Sequence, residues 1–218
     1  MQRFCQGQLD FFCAAYAVIN VLTALYGTSL SQARAMLASV LSDISHHPAL
    51  WQATLYNDTD FHWLSDYMLL ACSKATSFPL SVHRPFANQA EIPESAHDLA
   101  NAKHHRTPLK AVPDTNTVWS ALEEWLPHTL TQPRAGSAQR AVLLRFHRHL
   151  HYTPNPYVSH WSMTDCHYMD SFQLRDASKE ENALYSLNRD ACVFSLEEIT
   201  QEKTVRIEPE SIYFIKRG

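Results

Sequence analysis

The sequence predicts an α+β domain, because apolar residues at helical spacing dominate the first 135 positions and alternating, strand-like runs follow from about 136. A second observation is one run near the N-terminus that is apolar almost all round, the mark of a central, buried helix. The third is length: 218 residues suit one well-buried core, so 1–218 is expected to form a single domain. The expected arrangement has two layers. A central helix and helical layer, about 1–135, packs on a C-terminal antiparallel β-sheet, about 136–218.

From Phe11, the residues Ala14, Ala17, Val18, Val21, Leu22 and Leu25 recur at helical spacing, with Asp10 as the expected N-cap and Gly27 as the stop. Thr28-Ser29-Leu30-Ser31 then offers N-cap candidates for a second helix through Ala33, Met36, Leu37, Val40 and Leu41. A third helix is expected over 61–74, opened by Asp58 or Asp60. The stretch 78–113 is rich in proline and lacks a sustained period, so it predicts one short strand followed by a flexible insertion. Thr115-Asn116-Thr117 can cap a further helix through Trp119, Leu122, Trp125 and Leu126. Strands are expected at 141–149, 158–168, 171–175 and 211–216. Trp51, Trp63, Trp119 and Trp125 are expected to be core or groove aromatics.

Composition narrows the function classes. A net charge of -4, with Lys and Arg scattered and outnumbered by Asp and Glu, gives no footprint for nucleic acid or an anionic membrane. No run of eighteen apolar residues spans a bilayer, and no charged-then-apolar leader opens the chain. The expectation is a cytoplasmic protein, or one exported without a cleavable signal, as an effector or toxin would be. Five cysteines without paired spacing fit reduced thiols better than a disulfide framework. There is no Gly-rich phosphate loop, and neither cofactor nor metal is expected.

Chemistry concentrates on Cys13, in the run Gln6-Gly7-Gln8-Leu9-Asp10-Phe11-Phe12-Cys13. A neutral thiol is a poor nucleophile, whereas the unpaired N–H groups and dipole of a helix N-terminus favour the thiolate. The same N–H groups, with a glutamine side chain from Gln6 or Gln8, can hold the oxyanion formed when a carbonyl is attacked. Among thirteen histidines, His160 has the most suggestive setting. It starts an alternating run in which His160, Ser162 and Thr164 share one face and Trp161 and Met163 the other. If the following run paired antiparallel with it, Asp176 would come near His160 and orient the imidazole. Asp165 and Asp170 are weaker competitors for that role.

Gln6-Gly7, Leu9-Asp10, Cys13, Tyr16-Ala17 and Asn20, followed by His160-Trp161-Ser162-Met163 and then Leu174, Asp176 and Ser178, resemble a papain-like cysteine peptidase of the bacterial kind. The resemblance implies a papain-like fold, with Cys13 as nucleophile, His160 as base and then acid, Asp176 as orienter and Gln6 as oxyanion-hole donor. It implies hydrolysis of a peptide, isopeptide or related amide bond in a peptide or protein substrate. Acyl transfer, transglutamination or deamidation would use the same residues, and a catalytically silent interaction module would keep only the scaffold. Phe11 and Ala14 stand where relatives carry glycine, which crowds the approach to the thiol.

His147, His149 and His151 fall on one face of the expected 141–149 strand and its continuation, a geometry that can ligate zinc or copper. No carboxylate or cysteine is spaced to complete the set, so a solvated edge face is the favoured reading.

Overall fold

The computed structural model describes residues 12–48, 51–52, 62–74, 77–87, 113–129, 134–149, 158–168, 171–174 and 186–218. Helix α1 (Cys13–Tyr26) buries nearly every side chain, from Cys13 and Ala14 to Leu25, as a run without a polar face must. Its N-cap is Phe12, with no side-chain cap, rather than Asp10. Gly27 ends it in the left-handed conformation, at φ 71°, which glycine adopts without the Cβ clash that other residues suffer.

Helix α2 (Leu30–Ser45) opens on a capping box in which the Ser29 side chain accepts from the Gln32 N–H and the Gln32 side chain accepts from the Ser29 N–H. It presents Ala33, Val40 and Ile44 to the core. Helix α3 (His62–Lys74) contributes Trp63, Leu64, Met68 and Leu69 to the same core. Asp58 and Asp60, expected to open it, lie outside the described residues.

Strand β1 (Leu80–His83) is the short strand expected after residue 78, but it pairs along its whole length with the C-terminal strand β9 (Tyr213–Arg217). Buried Leu80 fixes this strand in the sheet. Residues 88–112 lie outside the described set. Helix α4 (Thr115–Trp125) is capped by Asp114, whose carboxylate accepts from the Thr117 N–H.

Strand β2 (Arg140–Arg148) is the middle of the sheet. It pairs antiparallel with β3 (Val158–Thr164) on one side, and on the other with β9 and then β8 (Val205–Ile207). The expected 158–168 strand breaks after Thr164. The hairpin of β4 (His167–Tyr168) and β5 (Ser171–Gln173) forms a separate small sheet with β6 (Ser186–Leu187). Strand β7 (Cys192–Val193) joins the main sheet parallel to β8. The main sheet is thus mixed rather than antiparallel, and it draws β1 from the helical half of the chain.

The two faces of β2 sort the core. Ala141 and Leu143, with Trp161, Met163, Tyr213 and Ile215, pack against α1, α2 and α3. Val142, Leu144 and Phe146, with Ile207 and Phe214, pack against Val118, Trp119 and Leu122 of α4 and against Phe172 and Leu187 of the small sheet. Three layers replace the expected two, because the apolar stripe of α4 needs a sheet face that α1 has not already covered. Trp63 and Trp119 are core residues, as expected; Trp51 and Trp125 are half-buried at its margin. Among the described residues, no helix is long and apolar enough to cross a membrane.

Candidate active site

The direction of α1 decides which end of the sheet carries chemistry. Its C-terminal turn is held by residues that lead into β2: the Gly136 N–H donates to the Thr23 carbonyl and the Ala138 N–H to the Ala24 carbonyl. Tyr26 donates its hydroxyl to the Pro79 carbonyl just before β1. Fourteen residues rising about 1.5 Å each then carry the helix roughly 20 Å towards the other end. Cys13 therefore lies towards the end of the sheet where β2 finishes and β3 begins.

Cys13 is the first residue of α1. The Tyr16 N–H bonds to the Phe12 carbonyl, so the N–H groups of Cys13, Ala14 and Ala15 precede the first intrahelical bond. Its side chain is 8% exposed and belongs to the core shared by α1 and β3. The described cysteines Cys13, Cys72, Cys166 and Cys192 are all free thiols. Burial pushes the thiols of Cys72 and Cys192 up to about 11 and about 12, which keeps both protonated at neutral pH.

β3 packs against α1, so the elements that carry Cys13 and His160 are neighbours. The alternation expected for β3 holds: Trp161 and Met163 turn into the α1 core. His160 turns the other way, opposite Phe146 in the register, with the two rings edge-on at 5.7 Å. The two elements are thus joined, while Cys13 belongs to the core on the Trp161 face of β3 and His160 turns to the opposite face. Half-buried His160 sits at the start of this strand.

The pairing invoked to bring Asp176 to His160 takes another form, since β5 pairs with β4 and β6 rather than with β3. Asp176 itself, with Gln6, Gln8, Asp10 and Asp170, lies outside the described residues. Asp165 is buried just after β3.

The histidine face differs most from expectation. His147 and His149 are not solvated but buried, at 4% and 2% exposure, because β2 is central. His151 lies outside the described residues. A carboxylate does reach this face: Glu208 Oε1 stands 2.8 Å from His147 Nε2, at an angle away from ideal hydrogen-bond alignment. Across the strand pair, the Ser159 hydroxyl lies 2.6 Å from His147 Nδ1, and Ser159 is exposed. Arg145 and Arg206 flank Glu208 at 3.6 and 3.3 Å.

Burial alone would raise the Glu208 carboxyl, but the His147 contact and the two guanidinium charges outweigh it and hold the group at about 2. Burial lowers His147, with Arg145 and Arg206 adding to the effect, and Glu208 only partly reverses it. Glu208 is therefore the anion and His147 the neutral partner. With Glu208 ionised, the imidazole proton belongs on Nε2, which leaves Nδ1 to accept from Ser159. Glu208 escaped the sequence reading because 205–207 is too short a run to declare a strand, and Ser159, inside the expected 158–168 strand, because its partner His147 is expected on a solvated face. The alternation of 205–207, Val205-Arg206-Ile207, was the available signal.

Among the described residues, no three His, Cys, Asp or Glu side chains are grouped to hold a metal ion. Comparison with known protein families, curated proteins and solved structures finds no match to this chain.

Proposed function

We propose that the protein is a cysteine hydrolase of the papain-like kind, acting on a peptide, isopeptide or related amide bond. The observation that carries this reading is the position of Cys13 at the uncapped N-terminus of a buried central helix that packs on the His160 strand. The thiolate adds to the carbonyl carbon, backbone N–H groups of the first turn receive the oxyanion, and His160 protonates the leaving amine. Water, deprotonated by His160, then releases the acid. Asp176 and Gln6 are assigned by the sequence resemblance, as orienter and oxyanion donor.

A pair of cysteines supplies the test. Cys13 and Cys72 are each 8% exposed, so exposure is matched, and Cys72, pushed up to about 11 by burial, is the protonated reference. Iodoacetamide, read by peptide mapping, should alkylate Cys13 nearly as fast at pH 6 as at pH 8, as a thiol that is already thiolate does, while Cys72 stays slow at both, and Cys13→Ala should abolish peptidase turnover while leaving the fold intact. A Cys13 rate that climbs about tenfold per pH unit from pH 6 to pH 8, or turnover retained in Cys13→Ala, removes Cys13 from the mechanism.

The divergence of His160 from the Cys13 face favours a second reading, a catalytically silent scaffold that binds protein partners. That reading requires the Cys13 rate to climb with pH as an ordinary thiol's does, so the same mapping decides between the two.

A further inference from the structure

Ser159, His147 and Glu208 form a chain of close contacts that the thiol chemistry does not use. The hydroxyl is exposed, the imidazole behind it is buried, and the carboxylate behind that is buried between two arginines. The separations are 2.6 Å from oxygen to Nδ1 and 2.8 Å from Nε2 to oxygen. A simple cross-strand polar pair would need no ionised carboxylate behind it, and a simple buried ion pair would not end on a hydroxyl at the surface. The order of groups is that of a nucleophile, its base and the base's orienter, with the roles of the two ring nitrogens exchanged relative to the familiar serine triad.

We propose that Ser159 is the nucleophile of a second acyl-transfer centre, with His147 as its base and Glu208 as the positioning residue, taking small acyl esters. Ser159 Oγ forms a bond to the ester carbonyl carbon while its proton passes to His147 Nδ1. The C–O bond of the ester breaks, and the departing alkoxide takes that proton from Nδ1. Water then attacks the acyl-serine through the same nitrogen, releasing the carboxylic acid and restoring the hydroxyl. Glu208 stabilises the imidazolium formed between these steps. Arg145 and Arg206 stand 3.6 and 3.3 Å from Glu208 and favour its ionised form behind His147.

The wild-type protein carries its own controls, since Ser42 and Ser45 are also exposed and lack an imidazole of this kind behind a carboxylate. Treatment with a fluorophosphonate, read by peptide mapping, should place the adduct on Ser159 and leave Ser42 and Ser45 unmodified. 4-Nitrophenyl acetate should acetylate the same position. His147→Gln, with its fold checked by circular dichroism, should slow the adduct at least tenfold. No adduct on Ser159, equal adducts on Ser42 and Ser45, or an undiminished rate in folded His147→Gln overturns the proposal. If His147→Gln fails to fold, the comparison of the three serines in the wild type decides alone. An adduct on Cys13 maps to a different peptide, so this result stands apart from the thiol reading.

Discussion

Glu208→Gln removes one charge from the buried cluster and almost no volume, so its effect isolates electrostatics. The carboxyl lies at about 2 in the folded protein against an ordinary 4.5, and at 1.36 kcal/mol per tenfold this gap is about 3 kcal/mol of stability at neutral pH. Breaking a buried ion pair by deleting one partner typically costs about 3–5 kcal/mol, which agrees in size. A group held below its ordinary value contributes fully above 4.5 and loses that contribution as the pH falls through 4.5 towards 2. Linkage leaves only about 1.4 kcal/mol of it at pH 3, a loss of about 2. Urea titration followed by tryptophan fluorescence at pH 7 and pH 3 measures both quantities. The variant should be about 3 kcal/mol less stable at pH 7, and the gap to wild type should narrow by about 2 kcal/mol at pH 3. Other carboxyls titrate in both proteins and cancel. A gap below about 1 kcal/mol at pH 7, or one that does not change with pH, would refute the assignment of Glu208 as the buried anion.

Two further outcomes follow from contacts on the α1 side. Gly136→Ala should cost at least about 2 kcal/mol by thermal denaturation, since φ is +76° and the new Cβ would lie 2.9 Å from the Gly27 nitrogen; Gly27→Ala, whose Cβ meets only ordinary contacts from 3.5 Å outward, should cost about 1 kcal/mol, and the reverse ranking would be inconsistent with the packing. Tyr213→Phe removes the hydroxyl that donates to buried Asp66 at 2.7 Å and should cost about 1–3 kcal/mol. Burial raises the Asp66 carboxyl above its ordinary 3.8, against the pull of Arg84 and Tyr213, so ionising it opposes folding increasingly as the pH rises past 3.8. The Tyr213→Phe deficit should therefore shrink as the pH is lowered towards 4, and a deficit that grows would show that Asp66 is not the affected group.

The sequence made some of this legible, for physical reasons that differ by element. The run from Ala14 to Leu25 has no polar face, and only a central helix can use it, so α1 was readable in kind and nearly in extent. Gly27 and Ser29 declare their roles through backbone chemistry that needs no tertiary partner. The N-cap was misread because Asp10 has the right chemistry, whereas the chain enters the helix at Phe12 with no side-chain cap. The burial of His147 could not be read locally. A strand's exposure depends on what lies beside it, and β8, which covers that end of β2, spans three residues. The third layer was hidden in the same way, since an amphipathic helix such as α4 states which stripe it buries but not which face of which sheet receives it.

The two ends of the main sheet serve different ends. At one, Gly27 and Gly136 bring backbones together, Gly218 donates to the Pro79 carbonyl, and Tyr26 bonds across to Pro79, so that α1, β1 and the start of β2 are fixed through main-chain contacts. Main-chain contacts of this kind tolerate little substitution and offer no reactive group. At the other end β2 finishes, β3 begins, β8 closes on β2, and α1 begins at Cys13, and charged or nucleophilic side chains collect there: Arg145, His147, Ser159, His160, Arg206 and Glu208. Burying His147 and Glu208 at this end costs stability that apolar residues would not. A fold that needed only stability could fill the position of His147 with a valine, as Val142, Leu143 and Leu144 fill the middle of β2. That the cost falls at the helix N-terminus and the strand start, and not at the glycine end, is the strongest physical reason to look for chemistry there.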